Sequence, residues 1–202
     1  MKHLTLFAIV LLSASVSAQQ RGQQPPAPGG GGRGGGGRGR GPIQTMTLRG
    51  PWQDGGMIPA RYTQAGGEES PALEWANAPD GVTSFVLLVH DPDAAVGNGT
   101  DDTLHWLVWN IPGTQTSLPA NATRSLSADV RQISATSPFY RGPGASGPQP
   151  AHHYVFELFA LDTTIDVPAV GASPPQTRAA VVAAMAGHVR AKASYVGLFK
   201  RG

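Results

Sequence analysis

The stretch "VHDPDAAVGNGTDDTLHWLVWNIP", residues 89–112, carries most of the information on fold and site. It holds four aspartates and two histidines, although only 14% of the chain is charged. It joins two apolar runs, "TSFVLLVHD" (83–91) and "LHWLVWNIP" (104–112), which are typical of buried β-strands. Acids and imidazoles at the ends of such strands predict a polar site on the edge of an apolar core.

Other strand-like runs surround this stretch. The strongest is "HHYVFELFALD" (152–162), and the shorter ones are "IQTMTLRG" (43–50), "MIPARYT" (57–63) and "ALEWANAP" (72–79). No helical spacing separates these runs, which argues against parallel βαβ units. Many short strands with long Gly/Pro loops predict a mainly β fold of the β-sandwich class.

One helix is predicted near the C-terminus. Ser173 is a natural N-cap, Pro174 and Pro175 suit a first turn, and Gln176 completes a capping box. Small apolar residues then recur at helical spacing, which predicts one helix near 174–194 that can pack closely on a sheet. These residues are Ala179, Val182, Ala183, Ala186, Val189 and Ala193.

The N-terminus divides into two segments ahead of the folded domain. Residues 1–18 combine basic Lys2, an apolar run and a small-residue end at "VSA", which predicts a cleavable signal peptide. We therefore expect a secreted or periplasmic protein that begins near Gln19. The chain has no cysteine, so the domain over 42–202 must be stabilised by burial rather than by disulfides.

Residues 19–41 form a Gly/Arg/Pro-rich stretch that is predicted to be a disordered tail. Its four arginines give it a charge of +4, whereas the remainder from Pro42 has ten Lys/Arg against thirteen Asp/Glu, or −3. A basic tail can bind a polyanion, but no aromatic residue is interleaved to stack on bases. We interpret it as a spacer, and expect no nucleic-acid partner and no transmembrane segment.

Strand alternation brings the polar residues together, because side chains at i and i+2 share a face. Asp91 and Asp93 share one face if the first strand continues through Pro92. In the second strand the shared face is predicted to hold His105, Leu107, Trp109 and Ile111, and in the third His152, Tyr154, Phe156 and Leu158. Three such strand ends side by side predict a small-ligand pocket with a polar mouth on an apolar floor.

The loop before the third strand, within "YRGPGASGPQPAHHY" (140–154), adds glycines and prolines. Glycine lets backbone approach a ligand closely, and backbone N–H groups together with imidazolium groups would bind an anion such as phosphate.

Several polar residues have a simpler interpretation. His90 and His153 fall on the opposite parity and are interpreted as packing or surface residues. Asp101 and Asp102 are interpreted as a solvated loop pair, and His188 as an exposed or capping residue of the helix. Two histidines and two carboxylates could hold iron or zinc, but no H-x-H or H-E-x-x-H spacing occurs. We expect no metal and no cofactor.

At these residues the sequence resembles the phosphatidylethanolamine-binding protein family, and within it the bacterial branch called Raf kinase inhibitor-like, or YbhB/YbcL, proteins. Two signatures carry the resemblance: "DPDA" (91–94) followed by "HWLVWNIP" (105–112), and the Gly/Pro-rich loop that ends in "HHY" (152–154). "SPALEWANAPDGV" (70–82) and "ASYVGLFKR" (193–201) are also similar to the family. His153 stands where the family has arginine.

The resemblance implies a β-sandwich with peripheral helices and one small anion-binding pocket. The pocket would use Asp91, His105, His152 and Tyr154, with Asp93 shaping the loop. Gly142 and Pro143 would line the rim.

We therefore expect a binding or regulatory protein for a phosphate-like or phospholipid-headgroup anion, rather than an enzyme. Two other functions stay open on the sequence: a protease inhibitor that acts through a protein surface, and a hydrolase that uses Asp91 and His105 as an acid–base pair. A homodimer also stays open.

Overall fold

The structure is a computed structural model, and it describes residues 42–145 and 147–202. The predicted signal peptide (1–18) and tail (19–41) lie outside the described residues. Within the described part, no helix has the length and apolar character needed to cross a membrane.

The described residues form ten strands, one α-helix and two short 3-10 helices. The strands are β1 Gln44–Thr45, β2 Thr47–Arg49, β3 Gly56–Met57, β4 Leu73–Ala76, β5 Ser84–Val96, β6 Asp101–Pro112, β7 Ser117–Leu118, β8 Arg131–Ile133, β9 His152–Leu161 and β10 Val189–Phe199. The helix is α1 Pro174–Met185, and the 3-10 helices are Ala60–Tyr62 and Ala122–Arg124.

Two sheets form the sandwich. The larger has the order β1-β10-β9-β5-β6-β8, with β3 also paired to β10, and the smaller has the order β2-β4-β7. The central strands β10, β9, β5 and β6 pair antiparallel, whereas the two-residue strands β1 and β3 pair parallel to β10. The predicted mainly β sandwich is confirmed.

The large sheet is covered on both faces, which explains the nearly continuous apolar run in β5. On the inner face, Leu87 and Val89 of β5 belong to a buried cluster that includes Leu48 and Trp75 of the small sheet. On the outer face, the cluster of Val86 and Leu88 includes residues of α1. Alternate residues of one strand therefore enter two separate cores.

The helix is shorter than the sequence predicted. Its capping is as expected, with the Gln176 side chain accepting the Ser173 N–H at 3.1 Å. The predicted extension to 194 is wrong, because Gly187 adopts a left-handed φ of 78° and β10 begins at Val189. Beyond the turn the buried residues alternate with a period of two, as a strand requires: Ala191, Ala193, Tyr195.

The predicted apolar stripe of the helix is displaced by one residue. The structure buries Thr177, Val181 and Met185, whereas Val182 is 47% exposed. Because most of the helix consists of small residues, the sequence pattern does not distinguish the face that contacts the sheet.

The run 57–63 also differs from prediction. Only Met57 belongs to a strand, and Ala60–Tyr62 is a 3-10 helix.

The hairpin of β5 and β6 contains irregularities that shape the site. Asp91 pairs with Thr103 and the next paired residue, Ala95, faces Asp102, so that residues 92–94 form a bulge. A second shift in register lies between Val89, opposite Trp106, and His90, opposite Leu104. His105 is the extra residue at that position.

Candidate ligand-binding site

Four of the predicted site residues meet where β5, β6 and β9 lie side by side. Asp91 ends the apolar part of β5, His105 lies in β6, and His152 and Tyr154 begin β9. The Asp91 carboxylate contacts His152, and the rings of His105 and Tyr154 are 5.0 Å apart in an edge-to-face arrangement. Asp91, His105 and Tyr154 are buried, so only His152, with 19% of its side chain exposed, connects the group to solvent.

Asp91 is the hub of this group. Its Oδ2 atom is 2.9 Å from Nδ1 of His152, and its Oδ1 atom accepts the backbone N–H groups of Asp93 and Ala94 at 3.0 and 3.1 Å. One carboxylate therefore both holds the bulge of residues 92–94 and orients an imidazole.

The ring of His152 has a defined role for each nitrogen. Because an ionised carboxylate only accepts hydrogen bonds, Nδ1 of His152 donates to Asp91. This arrangement leaves Nε2 as the ring nitrogen that could meet a ligand. In the neutral ring Nε2 would accept a hydrogen bond from the ligand, and in the charged ring it would donate one.

His105 is held in a different way. Its Nδ1 atom donates to the backbone oxygen of Arg141 at 2.8 Å, and the Arg141 N–H donates to the His105 oxygen at 2.9 Å. Burial lowers the pKa of His105 below its ordinary value of 6.5. The ring is therefore neutral at pH 7, with its hydrogen on Nδ1.

The predicted face of His105 needs a correction. Alternation placed it with Leu107 and Trp109, but those two residues pack in the outer core, whereas His105 faces Tyr154 of the inner side. The β-bulge at His105 changes the parity. A left-handed residue at Asn110 changes it again, which brings Ile111 to the inner core.

Tyr154 connects β9 to the preceding loop. Its hydroxyl accepts the backbone N–H groups of Gly144 and Ala145 at 3.3 and 3.2 Å. Burial raises its pKa to about 12, and the negative charge of Asp91 adds to the rise. The hydroxyl is therefore neutral, and the two loop N–H groups expected to bind an anion already have an acceptor inside the protein.

Gly142 and Pro143 connect the same loop to residues 62–68. Gly142 donates its N–H to Glu68 and accepts from the Gln64 side chain at 2.9 Å, and Pro143 accepts the Gln64 N–H at 3.0 Å. A Cβ atom on Gly142 would lie 2.6 Å from the Tyr62 backbone oxygen. Both residues are buried against residues 62–68 rather than placed on an exposed rim. Sequence reasoning did not find Gln64 and Glu68, because they lie some 75 residues upstream.

Asp93 lies outside the buried group. Its Oδ2 atom accepts both the backbone N–H and Nδ1 of His153, at 2.7 and 2.8 Å. These hydrogen bonds lower the pKa of Asp93. The His153 side chain is 55% exposed, in agreement with its interpretation as a surface residue. Together the two form an exposed pair at the edge of the site.

Two further interpretations are wrong in detail. Asp101 and Asp102 are not a loop pair, because both belong to β6 and the Asp102 side chain is only 18% exposed. Asp102 contacts His90 on the outer face of the sheet. His188 does not lie on the helix, since it belongs to the turn after α1 and pairs with Asp162 at 2.7 Å.

The candidate site is marked by its hydrogen bonds. Among the described residues, no group of three or more His, Cys, Asp or Glu side chains is arranged to hold a metal ion. A hollow of about 780 Å³ does exist, but it lies between the β5–β6 hairpin and α1 and is not lined by the four site residues. Convergent hydrogen bonding, rather than volume, distinguishes the candidate site.

The fold and these residues together define a member of the phosphatidylethanolamine-binding protein family. The family model described as "Phosphatidylethanolamine-binding protein" matches residues 50–200, so the chain belongs to this family. The fold agrees, because the crystal structure of YbcL of Escherichia coli, described as a new member of the mammalian family, superposes with a TM-score of 0.66. It is 24% identical and covers 78% of this chain and 99% of its own.

Relatives found by sequence comparison show to which members of the family the chain is similar. It is 37% identical over 155 residues to a UPF0098 protein of Methanothermobacter thermautotrophicus, covering 75% of this chain and 95% of the relative. The UPF0098 proteins YbcL and YbhB of Escherichia coli are 39% and 33% identical, covering 48% and 54% of this chain and 55% and 73% of their own lengths. The predicted relation to the YbhB/YbcL branch is confirmed.

Proposed function

We propose that the domain binds a small phosphate-like anion, either free or as a phospholipid headgroup, at the group formed by Asp91, His105, His152 and Tyr154. The observation that carries the proposal is the pair of Asp91 and His152, in which a buried carboxylate fixes an imidazole whose other nitrogen can meet a ligand. An imidazolium held in this way donates a charge-assisted hydrogen bond to an anion.

The balance of charge sets a condition on binding. Asp91 contributes one negative charge and His105 is neutral at pH 7, so His152 is the member of the group that can supply a positive charge to an anion there. Protonation of His105, which burial opposes, would add a second positive charge at lower pH. Affinity is therefore expected to rise as the pH falls below 6.5, where His105 gains its proton.

Calorimetric titration of the 42–202 domain with phosphate and with phosphoethanolamine tests the proposal. Sulfate is a useful third probe, because its charge is constant over this pH range and any pH dependence then belongs to the protein. Replacing His152 by Gln removes one charged donor and should weaken binding by about ten- to a hundredfold at pH 6.

The matched control is His153→Gln, which changes the neighbouring histidine outside the buried group. It should alter affinity much less than His152→Gln. Equal losses in the two variants would contradict the assignment of the site. A wild-type domain that binds none of the three anions at millimolar concentration would overturn the anion-binding function.

A hydrolase is the second candidate, favoured by the same Asp91–His152 contact. A carboxylate on one ring nitrogen and a potential substrate on the other is the arrangement of a general base. The structure gives Asp91 this contact with His152 and not with His105, the partner expected from the sequence. Turnover of a phosphate ester by the wild type and its loss in His152→Gln would support this function, and the absence of turnover would exclude it for that substrate.

We further propose that the chain is exported, on the basis of the sequence of residues 1–18. The intact mass of protein recovered from the periplasm or medium should correspond to a chain that begins near Gln19. A full-length product retained in the cytoplasm would contradict export.

A further inference from the structure

Five charged side chains cross the outer face of the large sheet in a continuous row, which we call the charge ladder. It consists of Arg178, Asp102, His90, Glu157 and Lys192. Each comes from a different element: α1, β6, β5, β9 and β10. When His90 is protonated, positive and negative charges alternate along the row from Arg178 to Lys192.

His90 is the centre of the ladder because both of its ring nitrogens face a carboxylate. Nδ1 contacts Asp102 and Nε2 lies 3.4 Å from Glu157. Beyond them, Arg178 contacts Asp102, and Lys192 lies 2.6 Å from Glu157. Within the described part of the chain, Asp102 and Glu157 are the charged groups that contact His90, and Arg178 and Lys192 contact those two carboxylates.

His90 is the member whose charge changes near neutral pH. Its side chain is 15% exposed, and burial opposes the charged form, but the neighbouring carboxylates of Glu157 and Asp102 outweigh burial and raise the pKa of His90 above 6.5. A neutral imidazole has one N–H, so it can donate to only one of the two carboxylates. The other carboxylate would then face a nitrogen lone pair.

The ladder reaches the N-terminal half of α1 through Arg178. Farther along the helix, Val181 and Met185 are buried in the outer core. Near its start, Arg178 borders the hollow of about 780 Å³ that separates the helix from the β5–β6 hairpin, and Asp102 lines the same hollow from the hairpin side. The Arg178–Asp102 ion pair therefore connects α1 to β6 across this hollow.

We propose that the charge ladder is a pH-sensitive latch, which fastens the start of α1 and the hairpin around residues 94–102 to the sheet when His90 is protonated and loosens them when it is neutral. The latch is independent of the anion-binding function. Because the folded pKa of His90 is raised, its stabilising effect is complete below pH 6.5 and is lost as the pH rises through the folded pKa.

The behaviour of the latch at acid pH depends on the charges of Glu157 and Asp102. The contact with His90 makes the largest contribution to lowering the pKa of Glu157, to about 2. Burial of Asp102 acts to raise its pKa, but the contacts with Arg178 and His90 outweigh burial and lower it. Both carboxylates therefore stay ionised at pH values near 4.5 and 3.8, the ordinary pKa values of glutamate and aspartate. The latch is therefore closed from about pH 4.5 to 6.5 and opens on the alkaline side.

Amide hydrogen exchange of the full chain at pH 6 and pH 9, corrected for the intrinsic dependence of exchange on pH, tests the latch. Peptides covering 94–103 and 174–180 should lose protection at pH 9, about tenfold for each pKa unit by which the pKa of His90 is raised. The central strand β9 serves as the internal reference. His90→Gln should show low protection in both peptides at both pH values.

Two more variants complete the experiment. Arg178→Gln removes only the helix end of the ladder and should expose 174–180 at both pH values, which provides a test if His90→Gln does not fold. His153→Gln, a histidine that is paired with one exposed aspartate and does not belong to the ladder, should retain the wild-type response. Equal protection of the wild type at pH 6 and 9, or a wild-type pH response in His90→Gln, would overturn the latch.

Discussion

His90 and Asp91 are neighbours in β5, yet they serve opposite faces of the sheet in opposite ways. On the outer face His90 lies between two carboxylates and its pKa is raised. On the inner face Asp91 belongs to a site in which His105 is buried and its pKa is lowered. The number of carboxylates that contact a histidine, set against its burial, decides whether that histidine is charged.

The two faces also differ in what their charges can do. The outer ladder pairs each charge with another charge of the protein, which suits it to fastening elements together. The inner group has one carboxylate and an imidazole that can reach solvent, which suits it to a ligand. The following changes are chosen to separate the two, beginning with the largest expected effect.

Asp91→Ala should have the largest effect, with a loss of about 3–5 kcal/mol in the free energy of unfolding, because it removes a buried acceptor from two backbone N–H groups and from His152. Urea unfolding at pH 7 measures the loss. Asp91→Asn keeps an acceptor oxygen and should lose less. A loss below about 1 kcal/mol in Asp91→Ala would mean that the bulge does not depend on this carboxylate.

Glu157→Gln tests the outer face, with an expected loss of about 1–3 kcal/mol at pH 6, because His90 and Lys192 both lose a charged partner. The loss should be smaller at pH 9, where His90 is neutral. Unfolding measured at both pH values checks this difference. The same loss at both would show that Lys192 alone accounts for the interaction.

The pH dependence of stability should have opposite slopes on the two faces. Stability from the ladder falls as the pH rises above 6.5, and stability from the site falls as the pH drops below 6.5, because the unfolded chain then protonates His105 first. Each pKa unit corresponds to about 1.4 kcal/mol. His90→Gln should flatten the alkaline slope of the unfolding free energy and leave the acid slope in place.

Tyr154→Phe should reduce the free energy of unfolding by about 1–2 kcal/mol, because the N–H groups of Gly144 and Ala145 lose their acceptor. Thermal unfolding checks the magnitude. Increased exchange of the loop amides, with β10 unchanged, would locate the effect. An unchanged loop would mean that Gln64 and Glu68 are sufficient to hold it.

His153→Gln should have the smallest effect, within about 0.5 kcal/mol, since the His153–Asp93 pair is exposed. The midpoint of urea unfolding is a sufficient measurement. A loss comparable to that of Glu157→Gln would remove the distinction between exposed and buried histidine pairs.

The sequence was a good guide to what depends on local pattern. Apolar alternation located β5, β6 and β9, and the two signatures identified the family and the residues that meet at the site. The parity of β9 was predicted correctly, because this strand contains no shift in register between His152 and Ala160.

The remaining features depend on pairings between distant segments. The bulge at His105 is visible only in the register of β6 against β5, so alternation assigned the wrong partners to this residue. The end of α1 was missed because small apolar residues suit both a helix and the alternation of β10. The ladder needs partners from five elements, and sequence spacing contains no information on which distant aspartate meets His90.

The most direct test of the contrast between the two faces is an NMR titration of the imidazole rings in the 42–202 domain without added anion. We predict that His90 titrates with a midpoint above 6.5 and His105 with a midpoint below it. Assignment rests on His90→Gln and on His105→Gln, each of which removes one curve. Coincident midpoints, or a midpoint for His105 above that of His90, would contradict the account.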